Sequence, residues 1–322
     1  MCRVKRKILM IGAIVLAVLL VLAVILWLTA DKTDRVGICY RESDDPETAA
    51  YRQQLKDSLT AQGFEVIEVY AHADQSKQLA QIAELAKKKC DVLLIEPVMS
   101  DAAEELLESI SQSQLPAVLF NRRIHTALLA QYPQVAYIGT EEKQTGQLQA
   151  QLLENLPSGG DLNGDGIVSY LLIQGPEDHV DANVRTTSFE AEIEKSSLKN
   201  LQLAKEIGDW TQESGRRICS QQLAAFGKDI EVIVCGNDQM AVGACQAIAD
   251  GGRTVGTDVY LLAIGGAEET LQMVYEGKLS GTVYLEPSVQ IQTIIETVLA
   301  QFQAEPTETV KILPYAVIAA EN

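Results

Sequence analysis

The segment from Asp161 to Thr187 constrains the fold of this 322-residue chain more than any other, because two groups of ligand-type residues follow each other there. Its first part, DLNGDGIVS, has the spacing of positions 1, 3, 5, 6, 7 and 9 of an EF-hand calcium loop, occupied by Asp161, Asn163, Asp165, Gly166, Ile167 and Ser169. The twelfth position, which holds a bidentate Glu in an EF-hand, is Leu172, within what reads as a buried strand. The segment is therefore either a calcium site completed by a remote carboxylate or an acidic turn without a metal.

The first 30 residues predict a membrane anchor. Four basic residues precede an unbroken apolar run from Ile8 to Leu28, whose 21 residues span about 31 Å as a helix, enough to cross a bilayer. Leu28 stands where a signal-peptide cleavage site requires a small residue, so we expect the segment to stay uncleaved. The basic residues keep the N-terminus in the cytoplasm. We expect a single-pass anchor in the cell membrane of a single-membrane (Gram-positive) bacterium, with the rest of the chain outside.

The exported part of the chain is strongly acidic. Four of the 26 Lys and Arg residues and none of the 44 Asp and Glu residues precede Ala30, so residues 31–322 carry 22 positive and 44 negative charges, a net charge of −22. Such a surface repels nucleic acid and favours divalent cations. Five exported cysteines, without a CxxC spacing, predict no obligatory disulfide framework.

From Arg35 onward, apolar strand-like runs alternate with helical segments. The strands read RVGICYR, EVIEVYA, CDVLLIEPV, LPAVLFN and VAYIGT in a first series, and IVSYLLIQG, LQLAKEIG, IEVIVCG, VYLLAIG and GTVYLE in a second, followed by a helix over 287–303 and a strand VKILPYAVIA. Nearly continuous apolar strands separated by helices indicate parallel sheets covered on both faces. The pattern predicts an α/β fold of two doubly wound lobes, whose ligands bind at the carboxyl ends of the strands.

Polar residues follow several of these strands, where a ligand would bind. The candidates are Asp44, Asp45, Asn121, His179, Asp181, Arg185, Trp210, Asn237 and Asp238. Sugar hydroxyls both donate and accept hydrogen bonds, which suits Asp, Asn and Arg groups, and an aromatic ring can cover the apolar face of a sugar. Taken singly, Asp181 could cap a helix and Trp210 could pack in the core. The number of such residues at strand ends favours a sugar-binding cleft.

From Arg35 to its end the chain resembles the type I periplasmic binding proteins of sugar ABC transporters, and among them the galactose/glucose-binding group. The resemblance rests on the segments DLNGDG, GPEDHVDANVRTT, GDWTQ and IEVIVCGNDQMAVGA. In that group a remote Glu completes the calcium loop, and the matching residue here is Glu231. The resemblance therefore implies Ca²⁺ bound by Asp161, Asn163, Asp165, Ile167, Ser169 and Glu231. It also implies sugar contacts from Asp45, Asn121, His179, Asp181, Arg185, Trp210 and Asn237.

Several positions depart from the pattern of that group. Gly265 stands where a sugar-binding carboxylate is expected and Leu285 where an asparagine is expected, and the position near Glu47 that holds a second stacking aromatic in the group is not aromatic here. Ser169 replaces a longer amide in the calcium loop and would reach the ion through water. Each lost charged or bidentate contact weakens binding by about 1.5 to 3 kcal/mol. The resemblance therefore does not fix which sugar binds.

The resemblance also implies two lobes hinged at three chain crossings, near 139–141, 284–287 and 312–315. The expected N-terminal lobe comprises residues 31–140 plus 286–313, and the C-terminal lobe residues 141–285 plus 314–322. The implied partners are a monosaccharide or derivative, an ABC permease and its ATPase; the alternative is a sensing subunit for a membrane histidine kinase or chemoreceptor. We expect a monomer that is not an enzyme, because no Ser or Cys nucleophile accompanies His179.

Overall fold

The computed structural model of the protein describes residues 33–42, 46–100, 102–303, 305 and 308–321. Strands and helices alternate through most of this part of the chain, as the sequence predicts. The described strands are β1 (Arg35–Tyr40), β2 (Glu65–Tyr70), β3 (Val92–Ile95), β4 (Ala117–Phe120), β5 (Val135–Thr140), β6 (Val168–Gln174), β7 (Asn200–Ile207), β8 (Val232–Cys235), β9 (Tyr260–Ile264), β10 (Gly281–Tyr284), β11 (Val310–Leu313) and β12 (Ala316–Ala319).

Helices connect most of these strands. They are α1 (Pro46–Ala61), α2 (Gln75–Lys87), α3 (Ala103–Ser113), α4 (Glu142–Glu154), α5 (Val180–Ile193), α6 (Gln212–Phe226), α7 (Asp238–Asp250), α8 (Glu268–Tyr275) and α9 (Pro287–Phe302), with short 3₁₀ helices at Thr126–Gln131, Pro157–Gly160 and Gly227–Asp229. Side-chain caps fix several helix starts, since Asp74 accepts a hydrogen bond from the Lys77 N–H in α2 and Thr211 accepts one from the Ser214 N–H in α6.

The strands form two six-stranded sheets within the described residues. The first has the order β11-β5-β4-β3-β1-β2 and the second the order β12-β10-β9-β8-β6-β7. Strands β3, β4, β6, β8 and β9 are buried along their whole length, which is the behaviour of parallel strands covered by helices on both faces. The predicted α/β architecture of two doubly wound parallel sheets is confirmed, with the exception of β12, which runs antiparallel to β10.

The end of the chain differs from the prediction of one strand over residues 310–319. Leu313 is the last residue of β11 in the first sheet, and Ala316 is the first residue of β12 in the second sheet. Pro314 lies between them and cannot donate a ladder hydrogen bond, so the strand is interrupted there and the chain passes to the other sheet.

Each sheet has its own hydrophobic core on both faces. In the first sheet, Val36, Ile38 and Leu94 pack with residues of α9, including Ile294 and Val298. The chain therefore returns from β10 in the second sheet to cover the first sheet with α9 before it forms β11. It passes between the sheets after Thr140, after Tyr284 and after Leu313. The first and third of these crossings run side by side, because Thr140 of β5 pairs with Leu313 of β11.

No helix in the described part of the chain is both long and apolar enough to span a bilayer. The predicted anchor, residues 1–30, lies outside the described residues. Cys39, Cys90, Cys219, Cys235 and Cys245 are all free thiols.

Candidate ligand-binding cleft

The N-terminal lobe, built on the first sheet, is called the first lobe below, and the C-terminal lobe, built on the second sheet, the second lobe. A cleft of about 520 Å³ lies where the ends of the first-sheet strands meet segments of the second lobe. The residues that follow β3 and β4, together with Thr140 at the end of β5, line one side; the start of α4 and the segment leading into α5 line the other. Its polar lining consists of Ser100, Asn121, Arg122, Arg123, His125, Thr140, Glu142, Asp178, His179 and Asp181. Three of the predicted sugar-binding residues, Asn121, His179 and Asp181, are therefore in the wall of one cleft, while Asp45 lies outside the described residues.

Asn121 is held on the first-lobe side of the cleft by two side-chain hydrogen bonds. Its Nδ2 donates to Glu96 Oε1 over 3.1 Å, and its Oδ1 accepts from Gln290 Nε2 over 2.9 Å. The backbone of Asn121 has a φ of 63°, a left-handed conformation that Asn tolerates better than most residues. The amide is thus fixed in orientation and still keeps one N–H and one acceptor position for a ligand.

His179 lies in the opposite wall of the cleft, with Trp210 behind it. His179 Nδ1 accepts a hydrogen bond of 3.4 Å from the Ala182 N–H at the start of α5, which leaves the Nε2 side of the imidazole for a ligand. The His179 and Trp210 rings meet edge to face with their centroids 5.5 Å apart. Trp210 packs over Gly175, where a Cβ would lie 2.1 Å from the indole ring, so only glycine fits beneath it.

Arg185 lies behind this wall and is bound on several sides. Its Nε is 2.7 Å from Glu142 Oε2, its Nη1 donates to the Gly236 carbonyl over 3.1 Å, and its guanidinium lies 6.0 Å from the centre of the Trp210 ring. Burial disfavours the charge on Arg185, but the Glu142 carboxylate outweighs this effect, and the pKa of the guanidinium is raised.

The side chain of Asn237 supports the site by binding two backbone groups. Its Oδ1 caps α7 by accepting from the Met240 N–H over 3.0 Å, and its Nδ2 donates to the Trp210 carbonyl over 3.0 Å. Arg185, Trp210 and Asn237 thus form one group behind His179 rather than separate parts of the cleft wall. The group fixes the position and orientation of the aromatic ring.

The predicted calcium residues also lie together, in the turn before β6. Asp161 accepts hydrogen bonds from the N–H groups of Gly164 and Gly166, Asn163 accepts from Asp165, and Asp165 accepts from Ile167. The structure brings the remote Glu231 to this loop. Its Oε1 accepts from Leu162 and Asn163 at 2.8 and 3.0 Å, and its Oε2 accepts from the Ser169 N–H at 2.9 Å.

Glu231 is only 1% exposed, and no Lys, Arg or His side chain of the described residues forms an ion pair with it. Three backbone N–H bonds compensate part of the cost of burying this carboxylate, and a divalent ion at the loop would compensate more of it. The described residues contain no cluster of three His, Cys, Asp or Glu side chains arranged as metal ligands. Any ion in the loop would therefore take part of its ligands from the Asn163 amide, the Ile167 carbonyl and the Ser169 hydroxyl or water.

A family model described as a periplasmic binding protein domain matches residues 36–306. The chain belongs to this family. Its members are substrate-binding proteins of transporters, so the expectation that the protein is not an enzyme is confirmed. The D-galactose/methyl-galactoside binding periplasmic protein MglB of Haemophilus influenzae is 26% identical over 268 residues, which cover 82% of this chain and 80% of that protein. The resemblance to binding proteins of sugar ABC transporters is therefore confirmed at the level of the family.

Solved structures show the same fold. An ABC transporter solute binding protein from Bacillus halodurans C-125 with bound myo-inositol is 24% identical, with a TM-score of 0.70, and the match covers 91% of this chain and 96% of that one. A periplasmic solute binding protein from Actinobacillus succinogenes 130z with bound D-allose is 18% identical, with a TM-score of 0.75, and the match covers 89% of this chain and 98% of that one.

The structure of this binding protein adds cleft residues that the sequence did not single out. Arg122, Arg123 and His125 line the cleft directly after Asn121, so their place after β4 was a usable signal. Burial lowers the pKa of the Arg122 guanidinium, and nearby Arg41 lowers it further. Glu142 also lines the cleft; it stands two residues after β5, at the start of α4, so its place after a strand was the same signal.

The two departures at the second-sheet strand ends have different structural consequences. Leu285 packs against the hydrophobic core that includes Ile291 and Ile294. Gly265 has a φ of 143°, and a Cβ at this position would lie 2.2 Å from Asp238 Oδ2. The Asp238 carboxylate therefore occupies the space that a side chain at 265 would enter.

Proposed function

We propose that this protein is a membrane-anchored, extracytoplasmic binding protein that captures a galactose/glucose-like monosaccharide or a related polyhydroxylated ring and delivers it to an ABC transporter. The observation that carries the proposal is the cleft of about 520 Å³ that brings Asn121 of one lobe opposite His179 and Asp181 of the other. A cleft of this volume suits a small ligand.

The side chains of the cleft match the chemistry of sugar hydroxyls. Each hydroxyl is a donor and an acceptor, and the cleft wall offers the acidic Asp181 and the amide of Asn121. Trp210, held by Gly175 and Asn237, lies with its ring edge to face against His179 of this wall. Charged groups make the stronger hydrogen bonds, so Asp181 is expected to contribute more of the polar binding energy than Asn121.

The division of the cleft between two lobes supports a closing mechanism. A ligand that touches Asn121 and Asp181 together gains both sets of contacts only when the lobes approach each other. Movement would occur at the three crossings, and a permease and its ATPase would recognise the closed form. The protein would act as a monomer, because one chain supplies both walls of the cleft.

What related proteins bind supports a small polyhydroxylated ligand. The relative from Haemophilus influenzae is a D-galactose/methyl-galactoside binding protein, and the two solved structures contain myo-inositol and D-allose. These ligands share a ring bearing several hydroxyl groups. Because Gly265 and Leu285 replace two expected polar residues, D-galactose is one candidate among such rings rather than the assigned ligand.

Two further parts of the proposal concern regions away from the cleft. The apolar run of residues 8–28, preceded by four basic residues, would anchor the protein in the cell membrane of a single-membrane bacterium with the N-terminus inside. Ca²⁺ would be held at the turn before β6 by Asp161, Asn163, Asp165, Ile167, Ser169 and Glu231. It would stabilise the second lobe by binding only its folded form.

Thermal melting of the full chain in detergent, with calcium present, tests the sugar-binding proposal. D-Galactose, D-allose, myo-inositol, other hexoses and pentoses would be added one at a time. A ligand at 100 times its dissociation constant adds about 2.7 kcal/mol to the free energy of unfolding and raises the melting temperature.

We expect at least one ring compound to raise the melting temperature, and Asp181→Ala to abolish that rise. Asp229→Ala, which removes an exposed acid of the same lobe outside the cleft, is the matched control and should keep it. If no compound raises the melting temperature of the parent protein, the cleft does not serve the proposed ligands.

A further inference from the structure

Among the described residues that line the cleft, only Glu142 contacts both Arg185 and Tyr315. Its Oε2 lies 2.7 Å from Arg185 Nε, and its Oε1 accepts a hydrogen bond of 2.8 Å from the Tyr315 hydroxyl. Glu142 begins α4 directly after the first crossing, and Tyr315 stands in the third crossing between β11 and β12. One carboxylate therefore connects a predicted ligand residue to the hinge.

Two more hydrogen bonds join the same crossings. The Thr140 hydroxyl lies 2.9 Å from the Tyr315 hydroxyl, and the Tyr315 N–H donates to Gln144 Oε1 over 3.0 Å. Because the Tyr315 hydroxyl gives its one hydrogen to Glu142, the Thr140 hydroxyl is the donor in their contact. The chain of contacts thus runs from Thr140 through Tyr315 and Glu142 to Arg185.

The contacts of Arg185 show how this series of hydrogen bonds approaches the cleft wall. The Arg185 guanidinium has five N–H bonds; Glu142 takes the one on Nε and the Gly236 carbonyl takes one on Nη1. These two contacts fix the orientation of the guanidinium, which lies over the Trp210 ring behind His179 of the cleft wall. The side chains of Arg185 and Glu142 are 23% and 13% exposed, so their ion pair is shielded from water and loss of one partner would leave the other poorly satisfied.

We propose that Glu142 is the positioning residue that couples ligand binding to the hinge: it orients Arg185 and, through Tyr315, fixes the first and third crossings relative to each other. This inference rests on the ligand-binding role proposed above for the cleft. It predicts that removing either half of the connection loosens the hinge without ligand and weakens binding of the ligand.

Distances between spin labels on the two lobes test the hinge part without any ligand. The labels would be placed through Ser111→Cys in α3 and Ser220→Cys in α6, both exposed, in the full chain in detergent with Cys2 and Cys245 replaced by Ser. Tyr315→Phe removes the hydroxyl that contacts both Glu142 and Thr140. Glu142→Gln keeps one carbonyl oxygen, which can accept from Arg185 or from Tyr315 but not in the original way from both.

We expect each substitution to broaden the distribution of interlobe distances, and the double variant to be no broader than either single one. The controls are Asp250→Asn, which removes an exposed ion pair with Arg216, and Tyr275→Phe, which removes an exposed hydroxyl; both should match the parent. An unchanged distribution in Glu142→Gln, or additive broadening in the double variant, would overturn the proposal.

Affinity for D-galactose, D-allose and myo-inositol, measured by calorimetry, is the second readout. Glu142→Gln should weaken the binding of whichever compound the parent binds by on the order of tenfold, while Glu142→Asp should restore part of the loss. Equal affinity in Glu142→Gln and the parent would contradict the coupling. If the parent binds none of the three, the proposed ligand class has failed, and the distance distributions still decide the hinge connection.

Discussion

At the scale of single residues, the backbone conformation and surroundings of Gly265 exclude an acidic side chain at this position of the second lobe. Gly265 has a φ of 143°, which is accessible in practice only to glycine. The Asp238 carboxylate fills the space beside it, where its Oδ2 accepts a hydrogen bond of 2.8 Å from the Ala267 N–H. The absence of a carboxylate at 265 is therefore matched by the neighbouring loop, where the Asp238 carboxylate occupies the space instead.

Introducing the expected carboxylate by Gly265→Asp should therefore destabilise the protein without adding a sugar contact. A Cβ at 265 would lie 2.2 Å from Asp238 Oδ2, and overpacking of this kind costs about 1 to 3 kcal/mol in addition to the backbone strain. Thermal melting and calorimetry with D-galactose measure the two effects. Gly256→Asp is the control, since Gly256 has a φ of 81° and no atom within 4 Å of its Cβ position. A Gly265→Asp protein with the parent's melting temperature and tighter binding would contradict this expectation.

The residues of the cleft show which part of a site can be predicted from sequence. Asn121, His179 and Asp181 were found because parallel strands end at a common edge, so position after a strand predicts position in the cleft. Glu142 was missed although it stands two residues after β5, and its role depends on Arg185 and on Tyr315, which is 173 residues away in the chain. No local pattern encodes such a contact; it becomes visible only when the third crossing returns beside the first.

At the scale of elements, the connection between β7 and α6 is a turn that holds Trp210 in a left-handed conformation with a φ of 70°. Asp209 precedes Trp210 and accepts a hydrogen bond of 3.1 Å from the Thr211 N–H, while Thr211 caps α6. The hydroxyls of Ser214 and Thr211 lower the pKa of Asp209 to about 2. The ionised carboxylate is therefore part of what keeps the aromatic ring in place.

The depressed pKa of Asp209 predicts a particular dependence on pH. Its contribution to stability is complete above the unfolded-state pKa of about 3.9 and is lost as the pH falls through about 2. Carboxyl-carbon NMR of Asp-labelled protein should give a midpoint near 2 for Asp209, and Ser214→Ala should raise it. Ser220→Ala, on an exposed position of the same helix, should not. A midpoint near 3.9 in the parent would show that the turn does not hold the carboxylate as described.

The elements also show how far the fold follows from local sequence. Helix and strand periods predicted the alternation and the two sheets, because apolar runs such as VLLI in β3 have no polar face to expose. The strand pattern did not predict the split of residues 310–319 between two sheets, although Pro314 was the available signal; only the resemblance, through the crossing near 312–315, implied a break there. The antiparallel direction of β12 could not be read from its sequence, since strand direction depends on where the chain arrives.

At the scale of the whole molecule, the two sheets have separate cores joined by three crossings, so the lobes can respond differently to what binds them. Residues of β1 and α9 share one core, whereas those of β8, α7 and β9 share another. The loop at 161–167 precedes β6, and Glu231 directly precedes β8, so both belong to the second sheet. An ion bound there would stabilise that lobe, whereas a ligand in the cleft would touch both.

Hydrogen exchange measured by mass spectrometry should separate these two responses. With calcium at 100 times its dissociation constant, local stability rises by about 2.7 kcal/mol, and amides of β6, β8 and β9 should exchange up to about a hundredfold more slowly than in chelator, while those of β1, β3 and β4 do not change. The predicted lobe limits, 31–140 plus 286–313 against 141–285 plus 314–322, should divide the affected peptides from the others. Asp165→Ala should abolish the calcium effect but leave sugar-dependent protection on both sides of the cleft. Equal protection of the two sheets by calcium would mean that the lobes unfold as one unit, and no effect at all would mean that the loop binds no calcium.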